Sequence, residues 1–244
     1  MTALANKNVL VTGGGSGIGR AVAASCLAAG ARVAIAGRNQ ARLDEAAHAL
    51  NAGTRLITYA VDVARADQVR AMVDSVSAVL GPIDVLVNNA GTNLKERTFR
   101  ELTPERWDRL IRTNLDGAFY CIHAVLPHML RRKDGLIVNI NSISGKRSNP
   151  LGGLAYNAAK FGLRGLALGL AAEERGNGIR VSSIYPGEVD TPILEQRPQP
   201  VSAEQRRAML QPEDVAAAVL FIATLPPRAS VPELVITPAN ALYI

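Results

Sequence analysis

The amino-acid sequence predicts an α/β protein with a doubly wound parallel sheet of seven strands and helices on both faces. Short runs rich in Val, Ile and Leu alternate with longer helical patterns from one end of the chain to the other, which is typical of a βαβ series. Most of these runs are almost continuously apolar, as expected for strands buried on both faces of a parallel sheet.

The individual elements follow from these patterns in chain order. The strands are predicted at 8–12, 32–36, 55–61, 83–88, 135–141, 179–185 and 232–237. The helices are predicted at 18–29, 40–51, 66–80, 104–132 with a break, 155–176 and 212–225. The clearest helix start is Thr103 followed by Pro104, because threonine caps helix N-termini and proline is tolerated at the first helical position.

The chain is predicted to form a single domain over residues 1–244, since no linker, repeat or low-complexity segment interrupts the alternation. The least regular segment, 186–204, is rich in Pro, Gly and acidic residues and follows the carboxyl end of the sixth strand. Ligands bind at that edge of the sheet in such folds. We therefore expect this segment to be a mobile substrate flap that adds nothing to the core.

Composition excludes several classes of function. The net charge of +6 would permit a polyanionic partner, but the basic residues are scattered and the few aromatic residues leave little to stack on bases, which argues against nucleic-acid binding. The two cysteines make no metal-binding spacing and suit a reducing compartment. No stretch reaches the ~20 apolar residues of a membrane span. We expect a cytoplasmic protein with no metal and no membrane partner.

A glycine-rich turn, TGGGSGIG, joins the first strand to the first helix. Gly13, Gly17 and Gly19 permit a tight turn, a close approach of the backbone to a pyrophosphate, and close packing of the helix on the strand. The position of this turn in a βαβ chain predicts a dinucleotide-binding site.

The end of the second strand indicates which dinucleotide is bound. NAD-preferring sites carry an acidic side chain there, whereas this strand ends in Gly37 and Arg38 without an acid. An arginine can pair with the 2′-phosphate, so the predicted cofactor is NADP(H); the alternative is a solvated arginine at a helix start. Asp62, after the third strand, is predicted to hydrogen-bond the adenine amino group, to cap the next helix, or both.

The segment YNAAK contains Tyr156 and Lys160, which lie one helical turn apart on the same face. A free phenol has a pKa near ~10, and a lysine cation nearby would lower that pKa towards the range useful for proton transfer. Taken alone, the spacing also fits two residues that merely pack together. Only the other motifs of the chain distinguish a catalytic pair from a packing contact.

Four blocks occur in one order: TGGGSGIG at 12–19, NNAG at 88–91, a serine at 142, and YNAAK at 156–160. Together they resemble the short-chain dehydrogenase/reductase family, in its compact single-domain branch, over essentially residues 6–237. The resemblance implies a Rossmann-type sheet and hydride transfer between a nicotinamide and a carbonyl/alcohol pair.

The resemblance also implies roles for single residues. Tyr156 resembles the catalytic acid/base and Lys160 its helper, Ser142 resembles the residue that holds the substrate oxygen, and Asn114 resembles the asparagine that anchors a proton-relay water. Ser144 competes with Ser142, which is preferred for its serine–glycine spacing. The predicted cofactor contacts are Gly13, Ser16, Gly17, Ile18, Gly19, Arg38, Asp62, Val63, Asn89, Ala90, Gly91, Tyr156, Lys160, Pro186, Gly187, Val189 and Thr191.

The expected function is an NADP(H)-dependent oxidoreductase acting on a small or medium substrate, with 3-oxo acids, 3-oxoacyl thioesters and hydroxy acids as candidates. The alternative is an NADP(H)-binding sensor or scaffold without turnover, although such relatives usually lose the tyrosine or the lysine. Lys95, Lys146 and Arg147 lie on loops after the fourth and fifth strands, where they could attract an anionic group or simply be solvated.

A homodimer or homotetramer is expected because the helices predicted around 117–132 and 155–176 carry more apolar residues than one buried face needs. The resemblance implies that these helices form a four-helix contact between two copies of the chain.

Overall fold

The computed structural model describes residues 3–241 and confirms the predicted α/β architecture. Seven strands form one sheet in the order β3-β2-β1-β4-β5-β6-β7, and every neighbouring pair is parallel. The strands are β1 Asn8–Thr12, β2 Arg32–Gly37, β3 Leu56–Ala60, β4 Val85–Asn88, β5 Gly135–Ile140, β6 Ile179–Pro186 and β7 Glu233–Ile236.

Apart from a short helix at Ala203–Arg207, which was not predicted, the helices agree with the predicted segments to within a few residues at each end. They are α1 Gly17–Ala28, α2 Gln40–Leu50, α3 Ala66–Leu80, α4 Pro104–Ile111, α5 Gly117–Arg132, α6 Leu154–Glu173, α7 Ala203–Arg207 and α8 Pro212–Thr224. Thr103 caps α4 as predicted, since its side chain accepts a hydrogen bond from the Arg106 backbone N–H. Within residues 3–241, no helix combines the length and apolarity that crossing a membrane requires.

The helices cover the sheet on both faces, so the central strands are buried on both sides, whereas the edge strands β3 and β7 are only partly buried. Val9 and Val11 of β1 belong to the apolar cluster shared with α1, α2 and α8. Leu10, between them, belongs to the cluster shared with α3, α5 and α6. Successive strand side chains point to opposite faces, which is why the strand sequences are apolar at every position rather than at every second one.

The strand order reverses at β1, which lies between β2 and β4. In doubly wound sheets a crevice opens at such a reversal, outside the carboxyl ends of the strands. Here β1 ends at Thr12 and β4 ends at Asn88, so the glycine-rich turn and the NNAG segment meet at this point.

The segment 186–204 is more ordered than its sequence predicts. Its first residue completes β6, Val189 forms a bridge with Leu210, and the chain then makes a 3-10 turn at Pro192–Gln196. Val189 and Leu194 are buried, and Val189 joins the main core. The expectation that the segment adds nothing to the core is therefore wrong, because single apolar residues at irregular spacing give no periodic signal.

Candidate active site

A cleft of about 520 Å³ opens at the carboxyl ends of the strands. The glycine-rich turn, the loops that follow β2 to β6, and the segment 186–204 line it. All of the predicted site residues line this cleft except Gly19 and Asn114. One cleft therefore brings together residues from most of the chain's length.

The glycine-rich turn is packed so closely that side chains at its glycines would collide with their neighbours. Gly13 has a φ of +67°, and a Cβ there would lie 2.8 Å from Asn89 Nδ2. A Cβ on Gly19 would lie 2.3 Å from the Gly13 oxygen, so Gly19 lets α1 approach the turn from behind. Ser16 precedes α1 but makes no side-chain capping bond. The first N–H groups of α1 are thus left uncapped by a side chain, and this cradle fits the pyrophosphate of a dinucleotide.

Asn89 holds the glycine-rich turn in place. Its side-chain amide donates to the backbone oxygens of Thr12, at 2.9 Å, and Gly13, at 3.1 Å. In return, Thr12 Oγ1 accepts from the backbone N–H groups of Asn89 and Ala90, both at 3.0 Å. The NNAG segment therefore fixes the shape of the cradle as well as lining the cleft.

Two arginines stand at the end of the cleft next to β2. Arg38 and Arg42 both line it and both are exposed, and within residues 3–241 Arg38 has no ion-pair partner. Arg42 was not predicted from the sequence, because a single arginine inside a helical pattern gives no signal of its own. Asn39, not Arg38, caps α2. Two guanidinium groups at this position fit a 2′-phosphate.

Asp62 lines the cleft but does not cap α3. Its Oδ1 accepts from the backbone N–H of Ala64 at 3.1 Å, a bond that closes a local turn. The residue before α3 is Arg65, so the helix-capping alternative for Asp62 is wrong. The extra residues of the turn, which the sequence does not reveal, separate the two positions.

Ser142 and Ser144 both line the cleft, but they have different partners. The Ser142 side chain acts on the Tyr156 hydroxyl and lowers its pKa, and the Ser142 Oγ accepts from the Ser144 backbone N–H at 3.1 Å. Ser144 Oγ accepts from Asn149 Nδ2 at 3.4 Å. Of the two serines, Ser142 is therefore the one in contact with the tyrosine.

Lys160 lies one turn after Tyr156 on α6, with its Nζ 5.5 Å from the centroid of the tyrosine ring. Its side chain is buried, at 4% exposure, and Nζ donates to the Ile140 oxygen at 2.9 Å. Burial lowers the pKa of Lys160 to about 8. The group is therefore still mostly protonated at neutral pH.

Burial also controls Tyr156. It raises the pKa of the Tyr156 hydroxyl, and the interaction with the Ser142 side chain and the positive charge of Arg97 oppose this increase. The sequence predicted a pKa lowered by Lys160. The structure differs because loss of water outweighs the nearby charge, and because the cation that acts on the phenol is Arg97.

Asn114 lies behind the cleft rather than in it. It belongs to a π-helical turn, Arg112–Asp116, which is the break predicted between α4 and α5. Its amide nitrogen donates to the oxygens of Thr92, at 3.0 Å, and Leu110, at 2.9 Å, and its oxygen accepts from the Thr92 N–H at 3.1 Å. The side chain thus supports the Thr92 loop, and its part in a proton relay stays a prediction.

The cations at the substrate end of the cleft are not the expected ones. Lys95, Lys146 and Arg147 do not line the cleft, whereas Arg97 and Arg197 do. Lys95 is exposed. No sequence signal separates Arg97 from Lys95, because the shape of the loop between β4 and α4 decides which side chain turns inward.

Lys146 instead forms part of a cluster that anchors β7, the Glu233 cluster. Glu233 accepts hydrogen bonds from Lys146, from Arg164 Nε at 2.8 Å and from the Tyr185 hydroxyl at 2.7 Å. Lys146 Nζ also lies 4.6 Å from the centroid of the Tyr185 ring. These contacts tie the edge strand to β6, to α6 and to the loop after β5.

Comparison with known proteins agrees with this geometry. The model of the short chain dehydrogenase family matches residues 7–201, which is well over half of the chain. The protein therefore belongs to the short-chain dehydrogenase/reductase family, and the resemblance drawn from the four sequence blocks is confirmed.

Relatives within the family carry different names. An uncharacterized oxidoreductase of Staphylococcus saprophyticus is 35% identical over 240 residues, covering 98% of this chain and all of the relative. An acetoacetyl-CoA reductase of Shinella zoogloeoides is 38% identical over 225 residues, covering 90% of this chain and 91% of the relative. A solved serine dehydrogenase, in its closed form with NADP+, superposes with a TM-score of 0.89 at 33% identity, covering 97% of this chain and 96% of its own.

Proposed function

We propose that the protein is an NADP(H)-dependent oxidoreductase that transfers a hydride between the nicotinamide and a carbonyl or secondary alcohol. A single catalytic domain over residues 1–244 would carry this activity, with 186–204 bordering the substrate. One observation above all supports the proposal: Tyr156, Ser142 and Lys160 line the same cleft as the glycine-rich cradle, and the Tyr156 hydroxyl interacts with the Ser142 side chain.

The cofactor part of the proposal rests on two ends of the cleft. The backbone of Gly13 and Gly17 lines the cleft at the uncapped start of α1 and suits a pyrophosphate, and Arg38 with Arg42 suits the 2′-phosphate that distinguishes NADP(H) from NAD(H). The serine dehydrogenase that superposes on this chain was solved with NADP+, which supports the same assignment. When bound, NADPH supplies the hydride, and the protein supplies orientation and a proton.

In the reducing direction, negative charge develops on the substrate oxygen and must be neutralised. Tyr156 is protonated at neutral pH because burial raises its pKa, so it can donate its hydroxyl proton to that oxygen. Ser142, whose side chain interacts with the phenol, can donate to the same oxygen and stabilise the charge. Lys160 is cationic at neutral pH and is placed to bind ribose hydroxyls and to stabilise the tyrosinate that forms. Oxidation of an alcohol reverses these steps.

The candidate substrates are 3-oxo acids, 3-oxoacyl thioesters and hydroxy acids. Two relatives support this range, because one is named for a 3-oxoacyl thioester and the other for a hydroxy amino acid. The cleft that Tyr156 lines is also lined by Thr92, Leu151 and the 3-10 turn at Pro192–Gln196, which suits a small or medium substrate.

We also propose a cytoplasmic protein that is at least a homodimer. Both cysteines are buried and unpaired, as suits a reducing compartment. Phe119 on α5 and Leu154, Phe161 and Leu168 on α6 are large apolar side chains that remain 42–46% exposed. Apolar surface of this kind along two helices favours a contact with a second copy of the chain.

The replacement Tyr156→Phe tests the catalytic assignment. With a panel of carbonyl compounds and alcohols followed at the nicotinamide absorbance, we expect kcat to fall by about 10²–10⁴-fold while affinity for NADPH is unchanged. Tyr120→Phe, outside the cleft, is the matched control. Retention of most of the wild-type kcat would overturn the role of Tyr156. A wild-type protein that binds NADPH but turns over nothing on the panel would instead be a sensor or scaffold.

A further inference from the structure

Arg97 is held rigidly at the substrate end of the cleft. Its backbone oxygen accepts from the Leu154 N–H at 3.2 Å, at the start of α6. Its stem crosses Gly153, where a Cβ would lie 2.8 Å from Arg97 Cδ and where φ is +78°. A glycine is therefore required at position 153 for the arginine side chain to reach over the first turn of α6, the turn that carries Tyr156.

The guanidinium of Arg97 is bonded only to neutral groups. Nη1 donates to the oxygens of Leu151 and Gly152, the latter at 3.2 Å, and Nη2 donates to the Gln196 oxygen at 2.9 Å. Its Nε is buried and has no acceptor among the described residues. A guanidinium has five N–H donors, so the hydrogen bonds within the fold leave some of the Arg97 donors free to bind a ligand.

The charge of Arg97 is likewise not neutralised. Across residues 3–241, no carboxylate lies within ion-pair distance of it, whereas Arg197, the other arginine at this end of the cleft, pairs with Glu188. Burial and the charge of Arg197 lower the pKa of Arg97, and Tyr156 is close enough to interact with it electrostatically. A half-buried cation without a counter-ion is costly, which favours a site completed by an anion.

We propose that Arg97 binds the carboxylate of the substrate, so that the natural substrate is a free oxo or hydroxy acid and not its thioester. The planar guanidinium matches a carboxylate in shape and charge. A thioester would put an uncharged sulfur where the carboxylate lies and would leave the cation without a counter-ion. This inference rests on the proposed function and names the substrate class for the same site.

A purely structural role is the competing explanation, because Arg97 also connects the 149–153 loop to the 3-10 turn at Pro192–Gln196. The two roles predict different kinetics. A structural defect lowers kcat/KM for every substrate alike, whereas loss of a carboxylate contact lowers kcat/KM for acids and spares their neutral analogues.

The experiment compares acetoacetate, methyl acetoacetate and acetoacetyl-CoA as substrates with NADPH. We expect the wild-type protein to favour the acid over the ester by about ten- to a hundredfold in kcat/KM. Arg97→Met should abolish this preference mainly by lowering activity with the acid. Arg97→Lys, which keeps the positive charge but not the paired N–H donors of the guanidinium, should retain part of the preference. The control Lys95→Met removes a charge from the same loop outside the cleft and should leave the ratio unchanged.

A binding measurement tests the inference without turnover. Acetoacetate should raise the melting temperature of the NADP+-loaded wild-type protein more than methyl acetoacetate does, and Arg97→Lys should reduce the difference. Equal use of ester or thioester and acid by the wild type, or an unchanged acid-to-ester ratio in Arg97→Met, would overturn the inference while leaving the proposed function intact. Absence of turnover with every carbonyl compound counts against the proposed function, and the melting shift then decides the role of Arg97.

Discussion

Replacing Lys160 with methionine is expected to stabilise the cofactor-free protein at neutral pH while abolishing its activity. Burial lowers the pKa of this lysine from its ordinary value of 10.5 to about 8, because the ammonium group has lost its water. At about 1.4 kcal/mol for each pKa unit, keeping the group charged in the folded state costs about 3 kcal/mol. Methionine has a similar length and no charge, so it removes this cost.

Part of the gain is lost again, because the lysine Nζ donates to the Ile140 oxygen at 2.9 Å and methionine cannot. Because its donor is charged, that bond contributes about 1.5–3 kcal/mol, so the net gain in the free energy of unfolding is about 1 kcal/mol. Functional residues that are held at the expense of stability commonly show such a gain when they are replaced.

The gain should depend on pH in a defined direction. Below about pH 8 the lysine is protonated in both the folded and the unfolded protein, so the full cost is present. Between about pH 8 and about pH 10.5 the folded state loses the proton while the unfolded state keeps it, so wild-type stability rises with pH relative to the variant. The advantage of Lys160→Met should therefore shrink across this range.

Urea unfolding at about pH 7 and about pH 9.5 measures both effects. Lys95→Met is the control, since Lys95 is exposed and its replacement should change stability by less than about 0.5 kcal/mol at either pH. A Lys160→Met variant that is less stable than the wild type at pH 7, or whose advantage is equal at both pH values, would refute the reasoning.

Three further predictions concern other parts of the molecule. Gly37→Asp with Arg38→Leu should reverse a preference for NADPH of about ten- to a hundredfold. The aspartate fits at position 37, since a Cβ there meets only Leu43, at 3.7 Å. An unchanged ratio of kcat/KM for NADPH to kcat/KM for NADH would contradict this prediction. Light scattering at micromolar concentration should give at least a dimer and Phe161→Asp should weaken it, whereas a monomeric wild type would refute the proposed contact. Partial burial raises the pKa of Glu233, but its three hydrogen-bond donors lower that pKa more, to about 2, so the stabilisation is present above the ordinary pKa of 4.5 and is lost as pH falls towards 2. Glu233→Gln should therefore destabilise the protein at pH 7 and destabilise it less in acid. Acid unfolding curves that are the same for the wild type and the variant would count against this.

The sequence by itself determined those features that depend on neighbours along the chain. The glycine-rich turn between the first strand and the first helix is local, and so is the four-residue spacing that puts Tyr156 and Lys160 on one face of α6. Strand sequences that are apolar at most positions predicted a sheet covered on both faces, because side chains alternate between the faces. For these features, the backbone periodicity alone carries the information.

Only the tertiary structure decided how distant segments meet. It placed the Ser142 side chain, rather than that of Ser144, where it acts on the Tyr156 hydroxyl, and it turned Arg97 into the cleft while leaving Lys95 in solvent. It also reversed the expected direction of the tyrosine pKa. The physical reason is the same in each case: burial and the distances between charges are set by loops packed together from different parts of the chain, and no spacing in the sequence records them.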